Sequence, residues 1–179
     1  LLGYSKEDAL KMTKQLPSLY GLSIENIKKK IEDLILLGYT KEDVLKMTKL
    51  LPSLYNLSIE NIKKKIEDLI LLGYSKEDAL KMTKQLPSLY GLSIENIKQK
   101  IENLISLGYS KEDALKMTRL FSSLYGLSIE NIKKKIDDLM LLGYSKEDTL
   151  KMTRLFPSLY GLSIENIKKK IIFYKQNNL

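Results

Sequence analysis

The chain has 179 residues and a formal net charge of +8, with no cysteine, histidine or tryptophan. That composition excludes a disulfide framework and a Cys/His metal site, and it removes the usual nucleophile–base pairs, so we expect no metal, no cofactor and no enzymatic activity. Its apolar runs, such as residues 34–39, fall far short of the roughly 20 residues of a membrane span, and the lack of cysteine fits a reducing intracellular compartment, whether organelle, cytosol or nucleus.

Aligning the sequence with itself gives a period of 35 residues. Five repeats follow, residues 1–35, 36–70, 71–105, 106–140 and 141–179, opening LLGYS, LLGYT, LLGYS, SLGYS and LLGYS. A period in this range signals a solenoid, because one repeat cannot bury its own apolar face and must stack on its neighbours. No Gly/Ser-rich or Pro-rich stretch separates the repeats, so we expect a single elongated domain over 1–179. The chain starts in mid-repeat phase and reads as an excerpt, so its lack of a signal or transit segment says little about a parent protein.

Within the first repeat, Ser5 followed by Glu7 and Asp8 forms a helix start, with the acids suited to the positive end of the helix. Ala9, Leu10, Met12, Thr13 and Leu16 then share one side at helical spacing, while Lys11, Lys14 and Gln15 take the other. Pro17 ends this short helix, since it pushes the preceding residue out of helical geometry. Residues 17–20 predict one 3₁₀ turn whose Leu19 and Tyr20 pack inward. Ser23 caps a second, longer helix with an apolar stripe of Ile24, Ile27, Ile31, Leu34 and Ile35, closed by Gly38. The expected fold is an all-α tandem helical-repeat solenoid, a superhelix of five such repeats, each with two α-helices plus a short 3₁₀ turn.

This order resembles the mTERF repeat, the unit of mitochondrial transcription termination factor-like proteins. The resemblance rests on a long helix ending in Leu-Gly, then Ser-x-Glu-Asp, Pro-Ser-Leu-Tyr and Ser-Ile-Glu-Asn-Ile-Lys-Lys-Lys-Ile. It covers about residues 1–170. It implies a left-handed superhelix with a basic concave surface. It also implies nucleic-acid binding, usually to double-stranded DNA and sometimes to RNA, in organelle transcription or RNA maturation. Two departures stand out: the repeats are near copies of one another, and Ser122 replaces the repeat proline in the fourth. Near-identity points to recent duplication, a modular array or an engineered consensus.

Net charge alone is weak guidance, because each of the first four repeats carries only +1 and residues 141–179 carry +4. The distribution of charge offers two candidate nucleic-acid surfaces. One is a ladder on the short helices, Lys11/Lys14, Lys46/Lys49, Lys81/Lys84, Lys116/Arg119 and Lys151/Arg154, able to track a phosphate backbone. As ordinary surface chemistry, the same residues would simply support helix C-termini. The other is the lysine run of the long helix, of which Lys28 and Lys29 are expected to be neutralised by Glu25, Glu32 and Asp33 four residues away. Lys30, with Lys65, Lys100, Lys135 and Lys170, is the least paired member.

Candidate base-reading positions are Gln15, Leu50, Gln85, Leu120 and Leu155, which vary between repeats on the polar face. Gln suits an adenine edge and Leu a thymine methyl, although neutral variation is the simpler account of a position that shows only two residue types. Tyr4 and Tyr20 could stack on bases, but half-buried packing at a helix junction, with the hydroxyl on a carbonyl, is the simpler expectation. The chain therefore reads as a nucleic-acid-binding array, with double-stranded DNA favoured over RNA. The alternatives are a protein-binding solenoid or a consensus array without a ligand.

Overall fold

A computed structural model describes residues 2–177; Leu1, where the first repeat opens, and residues 178–179 of the last lie outside the described residues. The chain divides into two compact units, Leu1–Ile94 and Glu95–Leu179. Among the described residues there is no strand, and the order helix, 3₁₀ turn, helix recurs five times. The short helices are α1 (Lys6–Gln15), α3 (Lys41–Leu50), α5 (Lys76–Gln85), α7 (Lys111–Leu120) and α9 (Lys146–Leu155). The long ones are α2 (Ile24–Leu37), α4 (Ile59–Leu72), α6 (Ile94–Ser106), α8 (Ile129–Leu141) and α10 (Ile164–Gln176). The division between the units falls at the start of α6.

The local signals act where they stand in the sequence. The Ser5 hydroxyl accepts the Asp8 N–H at 3.0 Å, and Thr40 and Asp43 cap each other reciprocally. Each short helix stops before a 3₁₀ turn, the first being Pro17–Gly21. Ser122 opens the same turn as the prolines do, because Phe121 before it (φ −138°, ψ 77°) holds the conformation that Leu51 holds before Pro52 (φ −137°, ψ 81°). Gly38 closes α2 in the left-handed region at φ +118°, which a side chain would strain. It also leaves room for the next repeat: a Cβ there would sit 3.1 Å from Leu80 Cδ1.

In the first unit α2 packs on α3 and α4, and α3 packs on α5; in the second α7 packs on α9, and α8 on α9 and α10. Met47, Leu54, Ile62 and Leu69 are fully buried in the first unit, as are Met117, Leu124, Ile132 and Leu139 in the second. Burial therefore comes from the stack, not from the single repeat. The first repeat shows this by exception. Leu10 and Ile24, expected in the core, are 57% and 62% exposed, and Tyr20 is 77% exposed, whereas Tyr55 and Tyr90 are buried. Those residues are covered in later repeats by the repeat before. Ile35 also departs from the buried stripe and lies partly exposed beside Leu36 at the end of α2.

Candidate nucleic-acid interface

Separating the residues that hold the repeats together from those left at the surface defines the candidate interface. Tyr4, Tyr39, Tyr55, Tyr90, Tyr109 and Tyr160 belong to the first group. Tyr39 Oη lies 2.6 Å from both Thr83 Oγ1 and Tyr90 Oη of the following repeat, all buried. Thr83 donates its proton to the Ala79 carbonyl at 2.8 Å, so Tyr39 must donate to Thr83 and Tyr90 to Tyr39. The relay Tyr90→Tyr39→Thr83→Ala79 thus runs in one direction. It recurs as Tyr55→Tyr4→Thr48→Val44 in the same unit and as Tyr160→Tyr109→Thr153→Thr149 in the second. Burial pushes the phenols of Tyr39, Tyr90, Tyr109 and Tyr160 upward. These hydroxyls bond other hydroxyls across a seam, where a carbonyl partner was expected.

The third lysine of each long-helix run is also a seam residue. Lys30 Nζ donates to the Leu57 carbonyl and Lys65 to that of Leu92; in the second unit Lys100 donates to Leu127 and Lys135 to Leu162. Each reaches the residue after the next repeat's 3₁₀ turn, whose carbonyl lies outside any helix. Burial lowers the ammonium pKa of Lys30 and Lys100, with nearby carboxylates working against it. Lys170, the last of the series, is exposed.

The second rung of the short-helix ladder meets an acid from the preceding repeat. Lys49 lies 3.3 Å from Asp8, Lys84 3.4 Å from Asp43 and Arg154 3.3 Å from Asp113. Arg119 is engaged as well. Acid and base stand at opposite ends of one helix, but stacking brings the acidic end of one repeat to the basic end of the next. Asp8 is held below the usual carboxylate range by the Ser5 hydroxyl first and by Lys49 after it. For Asp43, burial pushes the carboxyl up, but the Thr40 hydrogen bonds and Lys84 together outweigh it and hold it low.

The remaining cations lie at the surface. Lys11, Lys46, Lys81, Lys116 and Lys151 are all exposed and carry no ion pair among the described residues. Lys28 and Lys29 are exposed too; the pairs expected with Glu25, Glu32 and Asp33 are not formed, although the equivalent of Lys28 in the last repeat, Lys168, lies 3.5 Å from Glu165, and an exposed pair of this kind gains little against the entropy of holding two long side chains. The first-rung lysine and the variable position meet in a groove. In the first unit a hollow of about 280 Å³ is lined by Lys81, Lys84 and Gln85 together with Asp43, Glu77 and Tyr39. The equivalent hollow of the second unit, about 250 Å³, has Lys151 and Arg154 beside Asp113 and Glu147. Leu50, Leu120 and Leu155 are exposed at the positions equivalent to Gln15 and Gln85.

Sequence comparison supplies the class of ligand. The profile of the mTERF family matches residues 1–106, 37–140 and 72–178 in three overlapping segments. The chain belongs to the mTERF family. mTERF proteins are nucleic-acid-binding helical-repeat proteins. No curated protein matches the chain significantly. Among the described residues no helix is long and apolar enough to cross a membrane, and no group of three or more His, Cys, Asp or Glu could hold a metal ion. In this mTERF array the inter-repeat bonds absorb Lys30, Lys65, Lys100, Lys135, Lys49, Lys84 and Arg154 from the cations that the sequence offers to a ligand. They are spaced 27, 41, 44 and 51 residues apart. The signal for them in the sequence was a threonine on the apolar face of the short helix, a polar group that needs a partner there.

Proposed function

We propose that the chain binds double-stranded DNA along its short helices, with Lys11, Lys46, Lys81, Lys116 and Lys151 on phosphates. The observation that carries this reading is the division of labour among the cations. Lys49, Lys84 and Arg154 are tied to the preceding repeat, whereas the first-rung lysine of each short helix stays exposed and unpaired among the described residues. Within each unit, a cation that recurs with the repeat suits a regular phosphate backbone, and each neutralised phosphate releases counterions whatever the base sequence. Gln15, Leu50, Gln85, Leu120 and Leu155 lie one helical turn from those lysines, where they would face base edges.

The test is a titration with labelled random-sequence DNA duplex at several salt concentrations, with an RNA duplex as competitor. Affinity should fall steeply with salt. Replacing Lys46 and Lys81 by Gln should reduce the slope of log affinity against log salt by about 0.9 for each lost phosphate contact. Absence of binding at low salt would sink the DNA reading. An unchanged slope would transfer the contacts to Lys28, Lys29 and their equivalents, and tighter RNA binding would change the ligand. Gln85→Leu should alter base preference if that position reads sequence.

A second reading, a protein-binding surface, is favoured by one observation. Leu36 and Leu71 are each 85% exposed at the end of the long helix, beside partly exposed Ile35 and Ile70. Failure of the DNA titration would leave that apolar edge as the next surface to probe.

A further inference from the structure

One residue breaks the apolar edge on which the long helices end. Leu36, Leu71 and Leu141 are 85%, 85% and 84% exposed, and the same position in the fourth repeat is Ser106. Leu71 has two whole repeats before it and three from it onward, so this exposure belongs to the interior of the array. Ser106 instead folds its hydroxyl back onto the Asn103 carbonyl at 2.8 Å, which keeps the short side chain on its own helix.

Ser106 lines a hollow of about 360 Å³ that lies wholly within the second unit. Its apolar wall is Leu107, just past the end of α6, with Ile136 and Met140 of α8. Ile136 is buried and Met140 is 40% exposed. Lys133 of α8 and Lys146, the first residue of α9, stand at the rim with Asp137. All three are exposed, and none is in an ion pair among the described residues. Two ammonium groups against one carboxylate leave the rim positive. The volume falls at the lower end of the range of small-molecule sites, roughly 300–1,000 Å³, and an apolar wall with a few charged groups is the usual lining of such sites.

We propose that this hollow binds a small amphipathic anion. Its apolar chain or ring lies against Leu107, Ile136 and Met140, and its carboxylate, sulfonate or phosphate head sits on Lys133 and Lys146. Complementarity selects this class of ligand: the wall suits an apolar body, and the rim favours a negative head over a positive or neutral one. Ser106 is the residue that admits it. In the first unit the matching positions are Leu37, Lys63, Ile66, Glu67, Ile70 and Lys76, the same chemistry everywhere except at the entrance, where Leu36 stands. A leucine at the entrance takes the space through which the ligand passes, so one serine turns one repeat of a uniform array into a binding site. The site shares no residue with the short-helix ladder and does not rest on the DNA reading.

The test is a fluorescence titration of the whole chain, without nucleic acid, with anilinonaphthalene sulfonate, an aromatic anion that brightens on apolar surfaces. One saturable site is expected, weaker at higher salt. Ser106→Leu installs the residue that the other repeats carry, so the fold is kept, and it should abolish binding. Lys133→Gln and Lys146→Gln should each weaken it by about threefold, as suits exposed charges. Leu36→Ser should open a second site in the first unit and raise the stoichiometry from one to two. Circular dichroism checks that each variant folds. Undiminished binding in Ser106→Leu would overturn the site, and a stoichiometry unchanged by Leu36→Ser would overturn the role given to the serine. Phenylnaphthylamine, the uncharged relative of the probe, should bind more weakly; equal binding would overturn the choice of an anion. Capture of anionic phospholipid vesicles with no binding of the free probe would give the edge to a membrane surface and overturn the small-ligand reading.

Discussion

At the scale of single residues, a buried hydroxyl is tolerated where its proton and lone pairs are used. Thr83 and Thr153 meet that condition inside the relays; Thr149 does not, being fully buried with no partner for Oγ1 among the described residues. Its place is taken by Val44 in the second repeat, also fully buried. Thr149→Val should therefore stabilise the second unit by about 1 kcal/mol, since valine keeps the shape and removes an unsatisfied polar atom. Urea unfolding would read it as a higher midpoint at unchanged m-value. A loss of stability would mean that the hydroxyl has a bound water in solution.

Single helices and turns are the scale at which the sequence is easiest to read, because their causes are local. Ser5, Pro17, Ser23 and Gly38 each act within a few residues of themselves, and the structure places all four where the pattern puts them. The relays behave otherwise. They join elements 44 and 51 residues apart, so no window on one helix contains both partners. Tyr39→Phe should cost about 1–3 kcal/mol by stranding Tyr90 and Thr83, whereas Tyr20→Phe, at the exposed equivalent of Tyr90, should cost nothing measurable. The phenols also predict a pH dependence. A folded-state pKa raised above the ordinary 10.0 contributes stability that is fully present below about pH 10 and is lost as pH rises beyond it. Tyrosinate absorbance and unfolding should therefore rise together in alkali, with a shallower loss of stability in Tyr39→Phe than in the parent. The candidate site was less legible for the same reason. Lys11 and Lys14 look equivalent on one helix, and only the neighbouring repeat, through Asp8 and Lys49, makes them different.

For the whole molecule, that difference separates two kinds of cation that composition counts as one. Lys84→Gln should lower stability slightly, by about 0.5 kcal/mol for a half-exposed pair, and leave the salt slope of DNA binding nearly unchanged. Lys81→Gln should do the reverse. Paired thermal melts and salt titrations check both, and equal effects from the two variants would show that the second rung also contacts phosphate. The formal charge of +8 thus overstates what a ligand meets, since Lys30, Lys65, Lys100 and Lys135 are spent on carbonyls of the fold. The uniformity of the seam has one more consequence, and it concerns folding. Because the tyrosine, lysine and aspartate of one repeat find the same partners on any other, the chain cannot tell its next neighbour from a later one by chemistry. Only the entropy of looping out a repeat, which grows slowly with loop length, favours the correct order. Refolding is therefore expected to include slipped stacks that skip a repeat, which stopped-flow measurements would show as a slow phase beside the main one; single-exponential refolding would speak against them.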